Sequence, residues 1–164
     1  MERAPEPLDP ETRAAHLRVI EEAPAKLQSL VADLSERELE LRYRPAGWTI
    51  RQLVHHIADS HINSYVRMKL AATESLPTVK SYEEALWAEL PDAKGADVSI
   101  SLALIDALHR RWVAFLRALP PEDLRRPFRH YAWGDVTIDE SIAMYSWHCR
   151  HHTAHIEAAL AARV

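Results

Sequence analysis

Four histidines lie within eight residues near the C-terminal end of the sequence, at positions 148, 151, 152 and 155. On a helix, side chains four residues apart lie on the same face, one turn above the other, and His148 and His152 have this spacing. Histidine pairs with this spacing bind zinc in helical sites of unrelated enzymes. The segment therefore predicts a metal site built on His148 and His152. His151 and His155 form a rival pair on the adjacent face.

Two histidines rarely complete a metal site, because a zinc or similar ion takes three or four protein ligands. A predicted helix upstream carries His55, His56 and His61. At about 100° per residue, His61 points toward the apolar face of that helix, and periodicity alone leaves both His56 and His61 open as the third ligand. A polar stripe favours His56, because a working site needs polar groups beside the metal. The stripe also contains Ser60, Asn63 and Arg67, with Asp59 at its border.

Isolated histidines at positions 16, 109 and 130 carry no such pattern, and we expect them at the surface or in satisfied core positions. Cys149 neighbours His148 in sequence but points about 100° away from it on a helix. We therefore interpret Cys149 as a buried packing residue and not as a nucleophile.

Helical periodicity and capping signals predict an all-α protein built from four long helices. Capping boxes mark the starts of the second and fourth, and Pro24 either kinks the first or opens its second half. The predicted helices run from about Glu11 to Asp33, from the Thr49–Gln52 capping box to about Ala72, from Ile100 to Leu119 with Ser99 as cap, and from the Thr137–Glu140 capping box to about Ala162.

Shorter features fill the connections between these helices. Ser35 and Glu38 form a further capping box, which predicts a short helix through Leu41. Residues 73–98 form a long connection between the second and third helices, with a short helix around residues 82–90. Residues 125–136 are loop-like, with a short extended piece at 128–131. Residues 1–10 form a proline-rich arm, and residues 11–164 are predicted to fold as a single four-helix domain.

Composition excludes several classes of protein. The 164 residues have a formal net charge of −4 and no strongly basic half, which argues against a nucleic-acid partner. The chain has one cysteine, so it can form no internal disulfide, and a reducing, cytoplasmic location is expected. No apolar run approaches the ~20 residues of a transmembrane helix, and we expect no membrane partner.

At these residues the chain resembles the YfiT family of the DinB/YfiT-like superfamily, over nearly its whole length. The resemblance is carried by residues 47–52 running into 54–61, by Asn63, Arg67, Lys69 and residues 73–74, by Lys80, Tyr82, Trp87 and Leu90 in the long connection, and by residues 147–148 and 151–156.

The resemblance implies a four-helix bundle that binds one divalent metal ion per subunit through three histidines. Matched by position, these are His56, His148 and His152, which leaves His61, His151 and His155 in supporting roles around the site. Zn²⁺ is the expected ion, and Ni²⁺, Fe²⁺ and Mn²⁺ also suit three imidazoles. The resemblance further implies a homodimer.

The family includes proteins described as metal-dependent hydrolases and relatives that are S-transferases using a thiol such as bacillithiol. Three neutral imidazoles leave the ion with open positions, which is the catalytic arrangement. We expect a transferase in which a low-molecular-weight thiol is held as a thiolate and attacks an electrophilic small molecule. The sequence shows no separate general base, which favours this chemistry over hydrolysis by a metal-activated water, the alternative.

In either reaction Arg67 is expected to pair with a substrate carboxylate, while Asp59 and Asn63 orient a ligand of the metal. We expect no catalytic residue beyond the metal site itself. A third possibility is a non-catalytic, metal-stabilised binding or sensor bundle. It predicts a closed coordination sphere, with His155 as a fourth ligand, and no cavity.

Overall fold

Four long helices dominate the computed structural model, which describes residues 7–162 of the chain. The predicted all-α, four-helix architecture is confirmed. In chain order the elements are α1 (Pro10–Val31), α2 (Glu36–Leu39), α3 (Ile50–Thr73), β1 (Thr78–Val79), α4 (Glu84–Trp87), α5 (Pro91–Gly95), α6 (Val98–Ala118), a 3-10 turn (Asp123–Arg125), β2 (Pro127–His130), β3 (Gly134–Thr137) and α7 (Ile138–Ala161).

Local capping chemistry explains where most helices begin. The predicted capping boxes are present at the starts of α2, α3 and α7. In each, the cap hydroxyl accepts a backbone N–H that has no partner inside the helix, and the third helical residue bonds back to the cap. The prediction of Ser99 as the cap of α6 is wrong. The carboxylate of Asp97 accepts the Ser99 N–H at 2.8 Å, so α6 begins at Val98.

Pro24 lies inside α1, which runs through it as one helix, so the alternative in which a second half opens at this residue is wrong. Proline has no N–H, and the carbonyl of Ile20, four residues earlier, therefore lacks its usual helical donor. The Nδ1 atom of His109 on α6 supplies a replacement hydrogen bond at 2.6 Å. A helix interior thus tolerates proline because a neighbouring helix satisfies the carbonyl that the proline releases.

The four long helices form a ring in which each packs against two others. Helix α1 contacts α6 and α7, and α3 contacts the same two helices, so α1 lies diagonally opposite α3. Two apolar clusters fill the interior, one around Trp112 and Ile142 and the other around Leu53 and Ile156. No helix within residues 7–162 is both long and apolar enough to cross a membrane.

A three-stranded sheet in the order β1-β2-β3 confirms the extended piece predicted at residues 128–131 and corrects the prediction that the rest of residues 125–136 is loop-like. Strands β2 and β3 form an antiparallel hairpin with Phe128 opposite Val136, and both side chains are buried against the bundle. Strand β1 pairs in parallel with β2, with Val79 opposite His130. These strands have two to four residues, which is too short for alternation of apolar and polar residues to reveal them.

The connection between α3 and α6 contains two short helices instead of the single predicted one. Pro91 lacks the N–H that would continue α4 and instead occupies the first position of α5. Helix α5 packs against α3, which keeps the connection close to the bundle. The predicted arm is described only from residue 7, and residues 1–6 lie outside the described part. Within it, Leu8 is buried and its carbonyl accepts a hydrogen bond from Arg13 at 2.7 Å.

Candidate metal centre

Three histidine side chains from two neighbouring helices converge on one point. His56 comes from α3, and His148 and His152 come from α7, with one ring nitrogen of each within 4.8 Å of the others. The ring centroids of His56 lie 5.4 Å from His148 and 4.8 Å from His152, and those of His148 and His152 lie 4.4 Å apart. The packing of α3 against α7 therefore brings the expected ligand set together.

Burial keeps these imidazoles in the neutral form that binds metals. Desolvation lowers the pKa of His56 to about 4 and that of His152 to about 2, and it holds the pKa of His148 well below its usual value. The Nδ1 atom of His152 is buried and has no hydrogen-bond partner, which leaves it available to coordinate an ion, and the Nδ1 atom of His155 shares this property. Three neutral nitrogen donors on one point fit a divalent cation.

A cavity of about 1400 Å³ opens beside the three histidines and is partly lined by them. The indole of Trp48 borders it and lies 4.6 Å from the His56 ring, which gives that side of the site an apolar wall. Arg44, Arg150 and Glu84 add charges of both signs to the wall. His56 and His152 are buried, whereas His148 is only half-buried. The cluster therefore forms part of the wall of the cavity.

The rival cluster on α7 combines His151 and His155 with His152, which both clusters share. Its two own members are engaged with aromatic rings. The His155 ring stacks on Tyr43 at 3.9 Å, and the His151 ring stacks on Trp147 at 4.4 Å. Only one helix contributes to this group, whereas the cluster with His56 closes on a point between two helices.

His61 belongs to neither histidine cluster but contacts His148 from the interior of the bundle. It is fully buried, and its Nε2 atom lies 3.0 Å from the Nδ1 atom of His148. Its other nitrogen, Nδ1, lies 2.7 Å from the Nε2 atom of His109. Both ring nitrogens are thus engaged in hydrogen bonds to histidines, which places His61 in contact with a ligand candidate and not among the three converging donors.

The three predicted substrate residues lie elsewhere, and none of them lines the cavity in the described part of the chain. Arg67 is buried and donates to the Lys80 carbonyl at 2.9 Å, while the Asn63 side chain donates to the Asp59 carbonyl at 2.8 Å. The polar stripe thus runs from the cavity at His56 and Ser60 toward the long connection. A substrate role for these three residues stays a prediction.

Comparison with known proteins defines the family of this chain. A family model described as the DinB superfamily matches residues 20–156. The chain belongs to the DinB superfamily. It is 49% identical over 140 residues to a protein from Bacillus mycoides (strain KBAB4), and the match covers 85% of this chain and 80% of the relative. It is 47% identical over 150 residues to a protein from Bacillus cereus (strain B4264), and this match covers 92% of this chain and 86% of the relative. Both relatives are named, on a provisional basis, as metal-dependent hydrolases.

A solved structure shares the fold of this DinB-superfamily chain. It is YfiT from Bacillus subtilis, described as a probable metal-dependent hydrolase with an unusual four-helix bundle topology. The two structures superpose with a TM-score of 0.92 at 43% sequence identity, covering 95% of this chain and 90% of YfiT.

The DinB-superfamily site also contains residues that the spacing of the sequence did not reveal. His16 on α1 lines the cavity, and its Nδ1 atom lies 3.0 Å from the Ser146 hydroxyl. Glu84 reaches the same cavity from α4, and Trp133 reaches it from the turn between β2 and β3. These residues come from separate elements, so no local pattern in the sequence links them.

The carboxyl of Asp59, at the border of the polar stripe, should make the stability of the protein depend on pH. Burial, with a further contribution from Asp92, raises the pKa of its carboxyl from 3.8 to about 6. A carboxyl whose pKa is raised by folding stabilises the protein below its unfolded pKa, and that contribution is lost as the pH rises through 6. Asp59 is only half-buried, so solvent screening reduces the size of this effect. We expect Asp59→Asn to raise the free energy of unfolding by about 1 kcal/mol at pH 7.5 and by much less at pH 4. Urea denaturation at both pH values measures this, and equal effects would contradict the raised pKa.

Proposed function

We propose that this protein is a metal-dependent enzyme whose divalent ion is held by His56, His148 and His152. The observation that carries the proposal is the convergence of three neutral imidazoles from two helices at the wall of a cavity of about 1400 Å³. Three protein ligands beside a cavity are the catalytic arrangement, whereas structural sites are closed by four. The descriptions of the Bacillus relatives as metal-dependent hydrolases support an enzyme of this kind.

The bound ion would supply Lewis acidity, which lowers the pKa of a nucleophile at the open position. The protein's own residues supply the surroundings. The indoles of Trp48 and Trp147 provide apolar walls, and the guanidinium groups of Arg44 and Arg150 can pair with anionic groups of a substrate. Cys149 is unsuited to be the nucleophile, because burial raises the pKa of its thiol to about 12.

Transfer of a low-molecular-weight thiol is the reaction that we propose first. Pockets for one small molecule typically measure about 300–1000 Å³, and this cavity is larger, with room for a thiol and an electrophile together. In such a transfer the thiol sulfur forms a bond to an electrophilic carbon, the leaving group departs with its electron pair, and the thiol proton passes to solvent. The cosubstrate is then a thiol of the bacillithiol type, and the ion that holds it is Zn²⁺.

Hydrolysis is the second candidate reaction, and the position of Glu84 at the cavity favours it. This carboxyl borders the cavity, and partial desolvation raises its pKa although its side chain stays exposed to solvent, so it can accept and return a proton. The sequence alone had indicated no general base. A non-catalytic bundle is disfavoured, because its closed coordination sphere would leave no large cavity beside the ligands.

The two reactions are separated by one experiment on metal-loaded protein. We expect conjugation of monochlorobimane in the presence of bacillithiol, no conjugation above background without protein, and loss of activity after removal of the metal with a chelator. Turnover of a panel of esters without thiol-dependent conjugation would defeat the transferase proposal and support hydrolysis. Absence of both activities with stoichiometric metal bound would leave only the binding or sensor role.

The metal and the assembly are tested on protein purified without a histidine tag. We expect one Zn²⁺ per chain by elemental analysis and a homodimer by light scattering. Less than half an equivalent of any divalent metal would contradict the proposal of a resident ion. A monomer at micromolar concentration would contradict the proposed dimer without affecting the site.

A further inference from the structure

Three imidazoles form a hydrogen-bonded chain that crosses the interior of the bundle and ends at the metal centre. The Nδ1 atom of His109 lies 2.6 Å from the Ile20 carbonyl oxygen. His109 Nε2 lies 2.7 Å from His61 Nδ1, and His61 Nε2 lies 3.0 Å from His148 Nδ1. The chain links α1, α6, α3 and α7 in that order, and both His61 and His109 are at most 1% exposed.

The first contact of the chain sets the direction of all the others. A carbonyl oxygen only accepts, so the proton at that end must lie on His109 Nδ1. A neutral imidazole has one N–H, which leaves His109 Nε2 as an acceptor for a proton on His61 Nδ1. By the same step His61 Nε2 accepts the proton on His148 Nδ1. His148 Nε2, which lies 3.4 Å from the Ser60 hydroxyl, then carries no proton, and its lone pair can bind an ion in place of that contact.

The starting point of this chain depends on Pro24. In an uninterrupted helix the residue-24 N–H would donate to the Ile20 carbonyl, and proline has no N–H to donate. His109 donates to this released acceptor. A histidine N–H therefore takes the place of a backbone N–H of α1. The direction in which the three histidines donate their hydrogen bonds follows from a proline on a helix that carries none of the ligands.

We propose that His61 and His109 are positioning residues that fix His148 as its Nδ1–H tautomer and hold its Nε2 atom toward the metal. The proposal rests on the proposed metal site. Histidine ligands commonly donate their second nitrogen to a carboxylate, a backbone carbonyl or water, which orients the ring. Here the acceptor is a neutral histidine, itself oriented by a second histidine and a backbone carbonyl. The three histidines orient the ligand without placing a negative charge behind it, so a bound ion would keep its full positive charge for a substrate.

Nitrogen-15 NMR on the wild-type protein reads the tautomers directly. We expect His61, His109 and His148 all to carry their proton on Nδ1, in the metal-free protein as well as in the zinc-loaded protein. Zinc should shift the Nε2 resonance of His148 and leave the nitrogens of His109 nearly unchanged. A proton on Nε2 of His61 or His109 in the wild-type protein would overturn the proposal, whatever the variants show.

Metal affinity provides the second test. We expect His61→Leu to weaken Zn²⁺ binding, measured by competition with a chromophoric chelator, by about 10- to 100-fold. His61→Gln retains an acceptor for the His148 Nδ1–H and should restore at least half of that loss on a logarithmic scale. His109→Leu should weaken binding less, and it should have no further effect in the His61→Leu background, because its influence passes through His61.

His55→Leu is the matched control. His55 is also buried on α3 and bonded through both ring nitrogens, to the Ser101 hydroxyl at 2.8 Å and the Ala96 carbonyl at 3.2 Å, but it is not in the chain. We expect it to destabilise the fold without changing Zn²⁺ affinity. An equal loss of Zn²⁺ affinity in His55→Leu and His61→Leu would show that His61 acts only through packing and would overturn the proposal. Because neither readout requires turnover, a failure of the proposed reaction would leave this inference intact. An unchanged affinity in His148→Ala would defeat the metal site itself.

Discussion

Replacing His56 with alanine will lower the affinity for Zn²⁺ by more than about 100-fold, whereas His151→Ala will change it by no more than a few-fold. His56 belongs only to the cluster between α3 and α7, and His151 belongs only to the rival cluster on α7. His152 is shared by both clusters, so its replacement cannot distinguish them. Loss of a residue that merely orients a ligand typically costs about 10- to 100-fold in affinity, and loss of a ligand itself should cost more.

Thermal unfolding provides an independent measure of the same pair of variants. A ligand that binds only the folded state stabilises it by about 2.7 kcal/mol when its concentration is one hundred times its dissociation constant. We therefore expect added Zn²⁺ to raise the melting temperature of the wild-type protein and of His151→Ala, and to have little effect on His56→Ala. The reverse pattern, with His151→Ala insensitive to zinc, would move the site to the rival cluster.

Replacing Arg13 with alanine will lower the free energy of unfolding by about 3–5 kcal/mol, the largest stability effect that we expect from a single surface-proximal residue. Arg13 on α1 donates to both carboxylate oxygens of Asp139 on α7, at 2.6 and 2.7 Å. Asp139 is completely buried, and the Arg13 side chain is 14% exposed. Removing the guanidinium leaves a buried carboxylate without its counter-charge, and the desolvation of that group is no longer offset.

Arg117→Ala is the matched control for this pair. Arg117 also donates to both oxygens of a carboxylate, that of Glu21, at 2.7 Å each, but the two side chains are 50% and 47% exposed. Exposed ion pairs contribute only about 0–1 kcal/mol, because water solvates both partners and salt screens them. Chemical denaturation of the two variants isolates the effect of burial. A loss below about 1 kcal/mol in Arg13→Ala would mean that water reaches Asp139.

Local signals in the sequence predicted the helical framework accurately. The three capping boxes, at Ser35, Thr49 and Thr137, lie where the structure has them, because each box is a set of contacts within four residues. The extended piece predicted at residues 128–131 is confirmed by β2, but its partner strand β3 was not predicted, because the hairpin is stabilised by packing Phe128 and Val136 onto the bundle. Asp97 replaced Ser99 as the cap of α6, since both residue types cap helices well and only the backbone geometry selects between them.

The sequence by itself determined the part of the candidate site that one helix contains. The spacing of His148 and His152 aligns them on one face of α7, because the helical repeat relates residues four apart wherever the helix lies. Periodicity left His56 and His61 open as partners, because it gives the direction of a side chain but not what that side chain faces. The polar stripe favoured His56, but which side chains meet was decided by the packing of α3 between α6 and α7. That packing brings His56 to the pair and leaves His61 hydrogen-bonded through His109 to the carbonyl that Pro24 releases on α1.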